Sequence, residues 1–413
     1  MTLPHPDSFD LLSPEVVQDP YPFFASLREH APVYRVPHTQ VRLVSTWDLI
    51  DEALARPEDF SNHLTGVLMR GQDGRPELFD MSPLGAAIQA IATADDPEHA
   101  VHRRLVQPLL SLRRVTELEP LVRGWAREAI EPLTADGGGD WVEAAADPLP
   151  VRAMARLIGF PDEDRMQLIA WSMGGGAILA GTGRLEELAV HRGLNDELNV
   201  YVAGYLKREL KAQSGDPETQ ILAAIVRGVH AGLIDTAYAL GILVTLIGAG
   251  GESTASLVGS SVRLLAQRGD LQDDLRARPQ RIPAFVEEVM RLETAFKGHY
   301  RVVRHDTELG GCELPGESRL MLMWASANRD ASEFENPDEI DLDRPVPRHH
   351  LGFGRGTHFC VGAPLARMEA WVVLEELLER TRRFEIDPDR PPAHVSSIFI
   401  RRLDHLQLRV EAV

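Results

Sequence analysis

The run from Thr236 to about Arg268 contains no proline. At 1.5 Å per residue it makes a helix of roughly 50 Å, long enough to cross a whole domain. Inside it lies Ala249-Gly250-Gly251-Glu252-Ser253-Thr254. Two adjacent glycines, a carboxylate and two hydroxyls are costly in a helix interior by propensity. Two explanations stay open. The helix kinks there and leaves backbone carbonyls free to hold water, or another helix packs closely on the glycines.

A second constraint lies near the C-terminus, in Phe353-Gly354-Arg355-Gly356-Thr357-His358-Phe359-Cys360-Val361-Gly362-Ala363-Pro364-Leu365-Ala366-Arg367. Its glycines permit a tight turn that presses close to a flat ligand. Ala363 to Arg383 then reads as a long helix, with Pro364 in the first turn where a missing N–H does no harm. A cysteine just before a helix N-terminus feels free N–H groups and a positive dipole end, and both favour the thiolate. A thiolate there is a soft metal ligand, and haem iron is one of the metals it holds.

The whole string resembles the proximal haem-binding signature of the cytochrome P-450 family, Phe-Gly-x-Gly-x-His-x-Cys-x-Gly-x-x-Leu-Ala-Arg, with every specified position filled. Ala249 to Thr254 is similar to that family's oxygen-activating groove, Ala/Gly-Gly-x-Asp/Glu-Thr-Thr/Ser. His99 and Arg103, four apart on one predicted helical face, match its propionate-binding pair. Glu288 and Arg291 match its buried Glu-x-x-Arg pair. The resemblance implies one domain over residues 1–413. It implies a mainly α fold with a smaller β region, a long central helix over haem b, and a proximal Cys loop plus helix. Residues 1 to 20, rich in proline, are expected to form an extended arm.

It implies Cys360 as the axial iron ligand. Phe353, Gly354, His358, Gly362, Ala249, Gly250, His99, Arg103 and Arg301 are then cofactor-binding, with Arg304 the alternative to Arg301. Glu252 takes the acid position of the groove. Ser253 stands where threonine is usual and keeps the hydroxyl needed for proton relay. Thr254 is its substitute if the helix register differs. Leu68, Met69, Leu246, Phe296, Ile398 and Phe399 are expected to wall a substrate pocket, and Glu288 and Arg291 to brace the structure. A proline usual after the Glu-x-x-Arg helix is missing here, where the chain reads Leu292-Glu293-Thr294-Ala295-Phe296-Lys297-Gly298-His299-Tyr300.

The implied activity is monooxygenation of a small to medium hydrophobic substrate by dioxygen. Electrons are expected from a separate ferredoxin, because the chain has no flavin or nicotinamide fingerprint. The alternative is a peroxide-driven or radical-coupling enzyme on the same fold. A haem carrier or gas sensor is disfavoured, since it would not need Glu252 and Ser253. Arg103, Arg104, Arg113, Arg114, Arg348, Arg355 and Arg367 are candidates for a basic ferredoxin-docking patch, with at least two expected to be free. The net charge of −19 argues against nucleic-acid or anionic-membrane binding. Met1-Thr2-Leu3-Pro4-His5-Pro6-Asp7 has neither a basic start nor an apolar core, so no signal peptide or membrane anchor is expected. The two cysteines, Cys312 and Cys360, form no disulfide framework. These features point to a cytoplasmic protein, expected to be a monomer.

Overall fold

The computed structural model describes residues 3–81, 88–183 and 188–413. Its axis is a helix over Thr236–Gln267. Asp235 caps the start, its carboxylate accepting from the Tyr238 N–H at 2.8 Å. The helix is apolar on most of its surface and buried along most of its length. Among the described residues it is the one helix long and apolar enough to cross a membrane, and its burial inside the protein accounts for that composition.

The helix stays continuous through Gly250 and Gly251, and close packing is what the glycines permit. A Cβ on Gly250 would reach Met154 Cε at 2.6 Å, and one on Gly251 would collide with Ser172 Oγ and lie 2.8 Å from Val151. Those partners sit on the flanking helices Pro148–Ile158 and Arg165–Gly175. Ser172 also donates its hydroxyl to the Ile247 carbonyl of the central helix at 3.1 Å.

Ala363–Arg380 forms the proximal helix, with proline in its first turn. It packs on the central helix and on Leu112–Ala135. The sequence suggests a break at Pro132, but this helix runs on to Ala135 with Ile130 and Leu133 buried on either side of the proline. Burial there outweighs the one lost backbone bond.

The β region is mainly a five-stranded sheet. In spatial order its strands are Val33–Arg35, Val41–Val44, Arg319–Leu322, His299–Val303 and Phe60–Ser61. Only the Val41–Val44 and Arg319–Leu322 pair is parallel. Alternation along His299–Val303 turns His299 and Arg301 to one face and Tyr300 to the other. The Tyr300 hydroxyl, on that other face, accepts from the Leu68 N–H at 3.1 Å.

Several local expectations change. The N-terminal segment is not simply an extended arm. It holds a short 3-10 turn at Pro6–Ser8 and a helix at Pro14–Gln18 capped by Ser13, and it buries Leu12, Val16 and Val17 against Phe23 and Phe24. The stretch after Asn62, where glycines and prolines break any period in the sequence, contains a hairpin, Gly66–Arg70 with Pro76–Asp80, turned through Gly74 at φ +83°. Residues 82–87, within the same stretch, lie outside the described residues. The glycine-rich segment after Trp171 is helix that ends at Gly176, resumes over Ala177–Ala180 and stops at Gly181 with φ +76°. The first turn of the Trp47–Leu54 helix is capped by a remote carboxylate: Trp47 N–H donates to Asp330 Oδ2 at 3.0 Å.

Candidate active site

Between the central helix and the Cys360 loop lies a cavity of about 210 Å³. Phe353, Gly354, Cys360 and Gly362 line its proximal side. Gly354 and Gly356 adopt φ of +67° and +72°, a turn open to glycine at little cost. The Cys360 N–H closes the loop on the Phe353 carbonyl at 2.8 Å. Burial pushes the Cys360 thiol up, while the Gly362 and Ala363 N–H groups, Arg103 and Arg367 pull it down. The helix end thus favours the thiolate, as the sequence suggests, but burial is the larger influence. A coordinated metal is what holds a thiol deprotonated at such a place.

Leu246, Ala249, Gly250, Ser253 and Thr254 line the opposite wall. The Ser253 hydroxyl is spent on its own helix, donating to the Ala249 carbonyl at 2.6 Å. Thr254 is 5 % exposed and lines the same wall. Glu252 faces away. Its Oε1 is 3.6 Å from Arg402 Nε, too long for a hydrogen bond, and a Cβ on Gly176 would collide with its carboxylate. Arg402 is also paired with Asp147 at 3.1 Å. Burial pushes Glu252 up to about 7, with Arg402 opposing and Asp147 reinforcing the shift. The carboxylate therefore reaches the cavity only by moving or through a proton carrier.

The rim carries His99, Arg103, Arg301 and His358. His99 and His358 stack with centroids 3.8 Å apart. Arg103 Nη1 donates to the Phe359 carbonyl at 2.8 Å. Arg301 is 7 % exposed, and among the described residues its side chain donates only to the carbonyl of the preceding Tyr300, at 2.7 Å. Burial brings it down to about 10, with Asp95 opposing the shift. Burial, then His99 and Arg301, push His358 down to about 3. No acid is among the described lining residues. His99 Nδ1 lies 3.5 Å from Asp96, but the buried Arg301 guanidinium and His358 fit a dianionic cofactor edge, as haem propionates supply, and Cys360 fits as the thiolate to its iron. Arg304 lies off the cavity and pairs with Asp95.

Four pocket candidates lie outside the lining of this cavity. Leu68 and Met69 are fully buried in the hairpin and pack into the β-region core. Ile398 and Phe399 join the same core and do not line the cavity. Both faces of the Gly66–Arg70 strand are buried, so its apolar residues pack into core on either side. Leu246 and Phe296 do line the cavity, together with Met154, Thr245, His299 and Trp324.

The Glu288–Arg291 pair is buried at 2.8 Å. Arg291 donates to the carbonyls of Asn328, Pro337 and Glu339, and Glu288 also accepts from Arg344 and the Asp341 N–H. Its neighbour Glu287 ties the Cys loop to the proximal helix, accepting from Arg367 at 2.7 Å and facing His350 at 3.0 Å. Sequence inspection missed Glu287, although it sits beside the recognised glutamate. It also missed Asp147 and Arg402, which no local pattern links to Glu252.

A model of the cytochrome P-450 family matches residues 240–400. Cytochrome P-450 144 of Mycobacterium tuberculosis is 40 % identical, over 98 % of this chain and 92 % of its own length. Erythromycin C-12 hydroxylase of Saccharopolyspora erythraea is 34 % identical, over 71 % of this chain and 74 % of its own. The crystal structure of CYP109E1 from Bacillus megaterium in complex with testosterone superposes with a TM-score of 0.84. It is 28 % identical and covers 96 % of this chain and 99 % of that one.

Proposed function

The chain belongs to the cytochrome P-450 family of haem b monooxygenases, and from that premise we propose that it oxygenates a small to medium hydrophobic molecule using electrons from a separate ferredoxin and its reductase. The observation that carries this is the cavity itself, which sets Cys360 opposite Ser253 and Thr254 with an acid-free rim of His99, Arg103, Arg301 and His358. Bound haem supplies reductive activation of dioxygen and transfer of one oxygen atom to the substrate. Cys360 holds the iron. Phe353, Gly354 and Gly362 frame the proximal face, and Ala249 and Gly250 leave room on the distal face. His99, Arg103, Arg301 and His358 neutralise the propionates. Thr254 and Ser253 hand on protons, and Glu252 is their reservoir, buried between Arg402 and Asp147. Leu246, Met154 and Phe296 exclude water around the substrate.

Relatives whose names or titles mention erythromycin and testosterone support a hydrophobic organic substrate. For the electron donor, several of the candidate arginines are consumed: Arg114 by Glu117, Arg355 by Asp51, Arg367 by Glu287 and Arg103 by a carbonyl. Arg113 and Arg348 have side chains 89 % and 72 % exposed, each 3.7 Å from one carboxylate oxygen. Exposed Arg104 has no ion-pair partner among the described residues. These three are the cations offered to an acidic ferredoxin. We place the protein in the cytoplasm as a monomer, where a soluble ferredoxin reaches it.

Ser253, tied back to Ala249, and Glu252, turned from the cavity, favour peroxide-driven turnover as the second reading. Turnover with NAD(P)H, a ferredoxin pair and dioxygen, set against peroxide alone, separates the two. Cys360→His is expected to abolish the ferrous–carbon monoxide band given by thiolate ligation. An unchanged band would remove Cys360 as the ligand.

A further inference from the structure

His299 and Trp324 form a stretch of cavity wall that the chemistry above does not use. Trp324 opens the short helix Trp324–Ala327, and its Nε1–H donates to His299 Nδ1 at 2.6 Å. An indole nitrogen only donates, so Nδ1 presents its lone pair and the single ring proton sits on Nε2. A protonated ring would set two N–H groups head to head. Burial and the nearby Arg301 act in the same direction and keep the ring neutral. Nε2 has no protein acceptor among the described residues, and it is not one of the sealed, unpaired buried atoms.

The surroundings of this donor are aromatic. Phe296 and Phe399 stand edge-on to the His299 ring, with centroids at 5.3 and 5.6 Å, and Trp324 lies at 5.9 Å. The Tyr300 hydroxyl points to the opposite face of the strand. Of the nearby cations, Arg301 belongs to the rim and is placed for a propionate, and Lys297 turns the other way to the carbonyls of Val17 and Ser397. The wall therefore presents one fixed, neutral N–H among rings. A bound hydrocarbon would leave it unpaired, which costs more than the net worth of the bond itself.

We propose that His299, locked in one tautomer by Trp324, is the polar anchor of the substrate pocket, and that it selects apolar molecules bearing a neutral carbonyl or hydroxyl oxygen that accepts from Nε2. This rests on the cavity being the haem and substrate site. A site built around a hydrogen bond discriminates against an analogue that cannot make it far more strongly than an apolar pocket discriminates by size.

The test uses ferric holoenzyme titrated by difference absorption with acetophenone and with α-methylstyrene, which replaces the carbonyl oxygen by a methylene of similar shape. The ratio of dissociation constants is expected to favour the ketone about tenfold more in the wild type than in His299→Leu. His299→Gln keeps a donor and should retain part of the preference. Trp324→Phe, which releases the tautomer but leaves the ring, should lower it. A ratio equal in wild type and His299→Leu overturns the assignment, as does failure of wild type to respond to the ketone. The ferrous–carbon monoxide spectrum reports the Cys360 site separately. Its absence from wild type would sink the functional reading, while an intact spectrum with an equal ratio sinks only the role of His299.

Discussion

At the scale of single residues, Glu252 is the group whose chemistry depends most on its surroundings. An exposed glutamate ionises near 4.3, whereas burial raises this one to about 7. Between those values the unfolded chain loses its proton and the folded protein keeps it. Stability is therefore highest below the lower value and falls as pH rises toward 7. Glu252→Gln removes that loss. Its stability relative to wild type should rise by on the order of 3 kcal/mol between pH 4.5 and 8, read from denaturant unfolding at several pH values. Asp147, itself raised to about 6 by burial, shares Arg402 with Glu252, so the pair titrates together and the change spreads over that window. A flat difference across the range would show that Glu252 is hydrated. The same substitution should slow dioxygen-driven turnover more than peroxide-driven turnover, because only the first consumes delivered protons.

At the scale of elements, two contacts hold the two faces of the cavity. On the distal face, Gly251 lets the central helix meet Ser172 and Val151. Gly251→Ala would gain helix propensity, about 1 kcal/mol, but must push Ser172 aside. Overpacking of that kind costs typically 1–3 kcal/mol. We expect a net destabilisation, relieved in part by Ser172→Gly, with a double-mutant cycle in urea as the check. On the proximal face, Glu287 joins Arg367 to His350. Glu287→Ala leaves the Arg367 guanidinium buried without its carboxylate, a loss of roughly 3–5 kcal/mol. It should appear as lower haem retention and lower Tm. Glu288→Ala should show the same sign, since Arg291 and Arg344 lose the same kind of partner.

At the scale of the whole molecule, the excess of acid is uneven in its effect. A chain of net charge −19 repels acidic partners except where cations stay unpaired. Arg104 is such a place. Arg104→Glu should slow reduction by an acidic ferredoxin several-fold at low salt and leave the substrate-binding spectrum unchanged. The difference from wild type should shrink as ionic strength rises and the Debye length falls to about 8 Å at 0.15 M. A salt-independent defect would place the contact elsewhere. The missing proline after Leu292 also acts at this scale. Its segment is held instead by Glu293 between Arg401 and Arg263, and by Lys297 on carbonyls of the N-terminal helix and the C-terminal loop.

The sequence by itself determined the long central helix, the glycine turn before Cys360, the proximal helix and the family to which they belong. Each rests on local backbone chemistry or on a contiguous string: proline-free length, positive-φ glycines, a cysteine at a helix start. His99 and Arg103 were legible for the same reason, being one helical turn apart. Only the tertiary structure decided which apolar segments wall the cavity and which join the core. It turned Leu68, Met69, Ile398 and Phe399 into core, and brought His299 and Trp324 to the wall. It alone set Glu252 against Arg402 and Asp147, from segments more than a hundred residues away on either side. An apolar run fits a core and a pocket wall equally well, so burial alone leaves the choice undetermined in the sequence. Long-range charge pairs have no local signature, because either partner alone reads as an ordinary surface residue.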